Sequence, residues 1–227
     1  MQQRLRITFA RGEELKYVSL LDMMRLWQRA LRRAEIPLAY SEGYTPRPRL
    51  SLASAMPVGV TGEAELLDAF LKRRMSPFYF AQMVSPQLPA GLVIKDVQEV
   101  VLGLPSLQSQ VTQAEYRVTV ESAWTEREAT EAISKLLALK SLPWEHKRLE
   151  DVRKYDLRAL VHTIWLESCT NGSLVLGMLL KSDSSGSGRP EQVTAALGIP
   201  TPPLSILRTK LVLNDSHEPA AALAKAN

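Results

Sequence analysis

Polar and apolar residues alternate from the start of the chain. Leu5, Ile7 and Phe9 share one parity with Arg4, Arg6 and Thr8 on the other, which predicts a half-buried strand turned by Arg11-Gly12. The period then changes. Leu20, Met24, Trp27, Leu31 and Ala34 recur at helical spacing, so a helix is expected over about 20–34, with Ser19 and Asp22 as a variant capping box. Ile36-Pro37 ends it. A loop rich in proline and glycine follows from Tyr40. Leu50–Ala55, Glu65–Leu71 and Leu92–Val97 read as strands, with a short helix from Ser76-Pro77 to about Val84.

The same order then returns. After a connector over 102–114 come a strand at Tyr116–Val120 and a helix at Thr125–Leu137, with Glu128 completing the cap. Strands at Val161–Glu167 and Ser173–Leu180 are joined by Asn171-Gly172, a two-residue hairpin signal. A helix over 189–197 is ended by Gly198, and Ser205–Leu213 forms a last strand. Trp144–Arg158 is an insertion, Ser182–Gly188 a flexible glycine-serine loop, and the alanine-rich tail over 214–227 is expected to be disordered. The fold class predicted is α+β, with two tandem ferredoxin-like (βαββαβ) units over 1–101 and 115–213. The repeat is one of element order only.

Composition narrows the function classes. A hydrophobic fraction of 45% across 227 residues supports a sizeable core. No apolar run approaches the roughly 20 residues of a membrane span, and the first residues lack a signal-peptide core, so the expected location is cytoplasmic. One cysteine, Cys169, gives no cysteine-cluster metal site, and neither a metal nor a cofactor is expected. The net charge of +4 is uneven, since residues 1–60 hold ten Lys/Arg and five Asp/Glu. That excess favours an anionic partner, nucleic acid first.

Catalytic signals are weak. His146, His162 and His217 are dispersed, and His162 reads as a structural side chain at a strand start. Cys169 reads as a buried, inert thiol. Gly186-Ser-Gly-Arg-Pro190 reads as a plain loop in preference to an anion site. Glu63 and Glu65 could pair with Arg25 or Arg29. The stronger pattern is Arg25, Arg29, Arg32 and Arg33 on one helical stripe, with Tyr44, Arg47 and Arg49 in the following loop. Guanidinium forks suit phosphates, and a tyrosine can stack on an unpaired base. Lys147, Arg148, Arg153, Lys154 and Arg158 form a second, diluted basic patch.

Several stretches together are similar to the DUF2344 family, also called radical SAM-linked protein. They are Ser19–Arg25, Arg29–Ala34, Pro37–Gly43, Pro46-Arg-Pro48, Ser51–Val60 and Glu63-Ala-Glu65, and more weakly Asp156-Leu-Arg158 and Arg189-Pro-Glu191. The resemblance implies a radical SAM protein as neighbour or partner, and supplies no reaction. This chain lacks the cysteine triplet of a radical SAM enzyme, so it is not that enzyme itself. It carries Leu20 and Arg47 where the family commonly carries histidine, which favours binding over catalysis.

The resulting expectation is a non-catalytic accessory protein of a radical SAM partner that binds RNA or a ribonucleoprotein through its basic N-terminal surface. Two other readings stay open. One is an RNA-processing enzyme of the tandem ferredoxin-like type, and the other a protein-protein adaptor docking through Leu50–Val60.

Overall fold

The computed structural model describes residues 2–148, 151–170 and 172–214. In chain order the elements of the first half are β1 (Gln3–Arg11), α1 (Leu20–Arg33), β2 (Leu50–Leu52), β3 (Thr61–Leu71), α2 (Pro77–Val84) and β4 (Leu92–Val100). A helical turn, α3 (Leu107–Gln110), leads into the second half. There follow β5 (Val111–Glu121), α4 (Glu126–Ala138), the hairpin β6 (Pro143–Arg148) and β7 (Asp151–Asp156), β8 (Val161–Thr170), β9 (Ser173–Asp183), β10 (Gly186–Ser187), α5 (Pro190–Leu197) and β11 (Ser205–Leu213).

The first half orders its strands β4-β1-β3-β2, all antiparallel, and the second orders them β11-β5-β9-β8 in the same manner. The two sheets fuse where β11 runs parallel to β3, at Leu207↔Thr61 and Arg208↔Gly62, giving one nine-stranded sheet among the described residues. Insertion 143–156 is a separate two-stranded hairpin. The chain is thus α+β around a large mixed sheet. None of the described helices is long and apolar enough to cross a membrane.

Local chemistry explains the boundaries. Ser19 accepts a hydrogen bond from the Asp22 N–H at 3.2 Å to open α1. The helix stops where Glu35 turns left-handed, at φ 52°, before Ile36-Pro37. Its buried face is Met23, Trp27, Ala30, Leu31 and Ala34. Met23, not Met24, faces inward, because it lies nearer the centre of the stripe at about 100° per residue. Leu20 is 43% exposed in the first turn. Trp27 meets Phe9 edge-on, with centroids 5.1 Å apart, at the centre of the first core. In the second half Thr125 and Glu128 form the full reciprocal cap of α4. Gly177 of β9 faces Trp165 of β8, and a Cβ there would lie 2.0 Å from the indole.

Three expectations change. β1 is not half-buried, since Arg4 and Arg6 on its second face are nearly as enclosed as Leu5 and Ile7. The stretch 102–114 is only in part a connector, because α3 and the first residues of β5 lie within it. It crosses the reverse face of the first sheet, and Leu107 enters the second core. Ser182–Gly188 is not a loose loop. Asp183 Oδ1 accepts from the Ser185 hydroxyl and from the Ser185 and Gly186 N–H groups, and β10 pairs with β9. Residues 215–227, where the tail was expected to be disordered, lie outside the described residues, as does Asn171 of the hairpin turn.

Candidate nucleic-acid interface

The arginines of the first half divide into an inner and an outer set. β1 presents Arg4 and Arg6 to the same face as Asp68 of β3. Arg4 donates to Asp68 Oδ2 through Nε at 2.7 Å and also through Nη2, while Arg6 Nε donates to Oδ1 at 2.9 Å. Arg4 reaches on to the carbonyls of Leu104 and Pro105, and Arg6 to the Gln110 amide oxygen. Asp68 is fully enclosed between two guanidinia, so one carboxylate faces two cations in a buried site. Arg11 is also buried, donating to the carbonyls of Leu15, Lys16 and Val18. Burial lowers its affinity for a proton.

On the other side of β3, Glu65 takes a two-pronged bond from Arg208 of β11, with contacts at 2.7 and 2.5 Å. This pair is buried at the junction of the two halves, and the glutamate raises the Arg208 pKa. Glu65 therefore pairs with Arg208, and not with Arg25 or Arg29. Glu63 is exposed, although both glutamates lie in β3. No sequence pattern pointed to Arg208, whose partner is 143 positions away.

The outer set lies on α1. Arg25, Arg29 and Arg32 fall within about 60° of arc and Arg33 about 70° beyond their mean. All four are exposed. Arg25 bonds Asp22 at 3.0 Å, and Asp22 is held below the usual carboxylate range first by the Ser19 hydroxyl and next by Arg25. Arg33 donates to the Gln87 carbonyl. Arg29 and Arg32 make no hydrogen bond or ion pair with the described residues.

The loop after α1 is braced across its neck. The Ser41 N–H donates to the Arg47 carbonyl at 2.8 Å, the Arg47 N–H to Ser41 Oγ at 3.0 Å, and the Arg49 N–H to the Ala39 carbonyl at 2.8 Å. Tyr44 stands free at the tip. Arg49 lies over the Phe70 ring at 5.1 Å, with Arg4 on the same ring at 5.2 Å. Phe70 and Arg4 belong to the reverse face of the sheet, whereas α1 packs on the face of Leu5, Ile7, Leu67 and Leu71. The structure thus gathers Arg25, Arg29, Arg32 and Arg33 on one side and sets Arg47 and Arg49 beside a groove on the other.

This corrects the charge count. Arg4, Arg6 and Arg11 are internal, so residues 2–60 expose six cations, with Lys16 half-buried, against five exposed acids. The second basic patch also weakens. Lys154 pairs with Glu145 at 2.7 Å, and Arg158 is tied to the carbonyls of Leu137 and Val161. The side chains of Lys147 and Arg148 lie outside the described residues. Leu50–Val60 is not an open docking face, since Leu52, Ala53 and Val60 are buried and Val58 alone among its large apolar residues is prominently exposed.

His146 and His162 sit in β6 and β8, which do not pair with each other, and His217 lies outside the described residues. Cys169 is half-buried, its thiol donating to the Trp124 carbonyl at 3.4 Å. Among the described residues no group of three or more His, Cys, Asp or Glu could hold a metal ion.

Two solved structures share a distant likeness in chain path. One is titled "Crystal Structure of a Cbf5-Nop10-Gar1 Complex", with a TM-score of 0.49 and 9% identity over 91% of this chain. The other is "Structure of H/ACA RNP bound to a substrate RNA containing 2'-deoxyuridine", with a TM-score of 0.46 and 9% identity over 92% of this chain. This chain spans about half the length of either, 48% and 47%. No curated protein matches the sequence. The family model of DUF2344, described as "Uncharacterized protein conserved in bacteria", matches residues 4–190, and the chain belongs to that family.

Proposed function

We propose that this chain is a non-catalytic RNA-binding accessory protein whose contact surface is the exposed arginine face of α1. The observation that carries this reading is the pairing difference between the two arginine sets. Arg4, Arg6 and Arg208 have buried carboxylate partners, while Arg29 and Arg32 face solvent without one. An exposed cation that is in no ion pair is available to a phosphate, and its binding releases condensed counterions. The strand orders of the two halves support reading the chain as two ferredoxin-like units, the first carrying the interface. A radical SAM partner rests on the family resemblance alone, and a cytoplasmic location fits the same reading.

The test is electrophoretic mobility of labelled tRNA and rRNA fragments at several salt concentrations. Wild type is expected to bind with a steep salt dependence. Arg25→Ala/Arg29→Ala/Arg32→Ala is expected to flatten the slope of log K against log salt by about 3, near one per lost phosphate contact. Absence of salt-sensitive binding by wild type would refute the reading. Cleavage products lost in His146→Ala or His162→Ala would replace it with an RNA-processing enzyme.

A further inference from the structure

The groove on the reverse face of the first sheet is separate from the helix surface and has its own chemistry. It encloses about 560 Å³ between the loop 41–49 and the stretch 102–107, within the range of small-molecule sites. Three arginines and no acid line it. Arg4 is neutralised from behind by Asp68. Arg47 and Arg49 have no carboxylate partner among the described residues, so two positive charges stand uncompensated at a concave surface.

The rest of the lining is apolar or small. Phe70, Leu102 and Leu104 supply the apolar part, and Ser51 a hydroxyl. The braced loop neck holds the backbones of Arg47 and Arg49 in place, which reduces the ordering cost of binding. The guanidinium of Arg49 already lies over an aromatic ring. Bases of single-stranded RNA are recognised by stacking on aromatic rings and on arginine planes, and paired arginines suit a phosphate.

We infer that this groove takes one unpaired nucleotide of a single-stranded RNA, with its phosphate held by Arg47 and Arg49 and its base against Leu102, Leu104 and the edge of the Phe70 ring. The inference rests on the RNA-binding reading and sharpens it. A base inside a duplex has no free face to offer such a site, so the groove would distinguish unpaired from paired RNA. An acidic peptide shares the charge but lacks a planar face to stack.

The test uses the full chain with a fluorescent eight-nucleotide RNA, the same sequence as a duplex, uridine monophosphate and a tetra-glutamate peptide. The single strand is expected to bind at least tenfold tighter than the duplex. Arg47→Ala/Arg49→Ala is expected to abolish that preference while leaving duplex binding within about twofold. Leu102→Glu, an exposed rim change that adds a like charge for the phosphate, is expected to act the same way with an unchanged melting temperature. Free uridine monophosphate is expected to compete only weakly, since it lacks the flanking phosphates that bind elsewhere.

If wild type binds RNA but the groove variants keep the preference for single strands, the groove assignment falls and the α1 reading stands. If wild type binds neither form, both fall. Binding of the glutamate peptide that is lost in Arg47→Ala/Arg49→Ala, without competition by the RNA, would reassign the groove to an acidic protein segment. Uridine monophosphate binding as tightly as the oligonucleotide would reassign it to a free nucleotide.

Discussion

The two halves repeat one strand order, yet they differ in where their closest charge pairs lie. In the second half cations on the surface stand beside acids, as in Arg117–Glu167, Arg127–Glu131, Lys181–Asp183 and Lys210–Glu115. The first half has surface pairs too, as in Lys16–Glu13 and Arg74–Glu99. Its two closest ion pairs are internal, however, Arg4–Asp68 and the Arg208–Glu65 pair it shares with the second half, and much of the arginine face of α1 is left unpaired. The counterpart strands show the same contrast. β5 alternates buried and more open positions, while β1 is enclosed on both faces. A strand enclosed on both faces with arginines on one must bring a carboxylate inside, because an unpaired buried charge costs several kcal/mol. The acids of the first half drawn inside for this purpose cannot neutralise its surface.

The largest expected effect tests that contrast directly. Asp68→Ala leaves Arg4 and Arg6 buried without their counter-charge and is expected to cost about 3–5 kcal/mol in urea unfolding. Glu167→Ala removes the partner of a largely exposed arginine and is expected to cost less than about 1 kcal/mol. Equal losses would mean that the inner and outer pairs do not differ in kind. Next in size, Gly177→Ala in β9 is expected to lose about 1–3 kcal/mol, because the new methyl meets the Trp165 ring. That would show the second half relying on close apolar packing where the first relies on a buried ion cluster. A loss below measurement error would show that the indole can move aside.

A smaller change comes from Thr125→Ala, which removes the reciprocal cap of α4 and is expected to cost about 1 kcal/mol by thermal melting. The gentlest probe is acid. Asp156 is held below the usual carboxylate range first by the Leu142 N–H, Asp183 first by the Ser185 hydroxyl, and Glu128 first by the Thr125 N–H. A depressed folded pKa adds stability that is complete above the unfolded value and is lost as pH falls through the folded one. The melting temperature is therefore expected to be level from neutral pH to about 5 and to decline below about 4, where unfolded Asp and Glu titrate. Asp156→Asn is expected to make that decline shallower. An unchanged profile would mean that the bonds the Asp156 carboxylate accepts from the Leu142 and Arg158 N–H groups add nothing to stability.

Much of the element order was legible because it depends on neighbours in sequence. Period-2 and period-3.6 patterns, Ser19 and Thr125 as caps, Pro77 in a first turn and Gly198 at φ 100° each act within a few residues. The α1 arginines were legible for the same reason, since residues three and four apart share a helical face. The groove was not. Its walls come from positions as far apart as Arg4, Arg47, Phe70 and Leu104, and no local pattern says that a strand's polar face will be covered by a segment a hundred residues on. One trace was present: Asp68 is an isolated acid between apolar residues of β3, with the parity that places it opposite Arg6.

The sequence by itself determined the α+β elements, their repeated order and the run of arginines on α1, because propensity, periodicity and capping are short-range. Only the tertiary structure decided which cations were already neutralised. It joined β11 to β3, enclosed Arg4, Arg6 and Arg208 against two carboxylates, and parted Arg47 and Arg49 from α1 by the thickness of a sheet. Charge is counted along a chain, but its availability to a partner depends on which opposite charges the fold brings within a few ångströms.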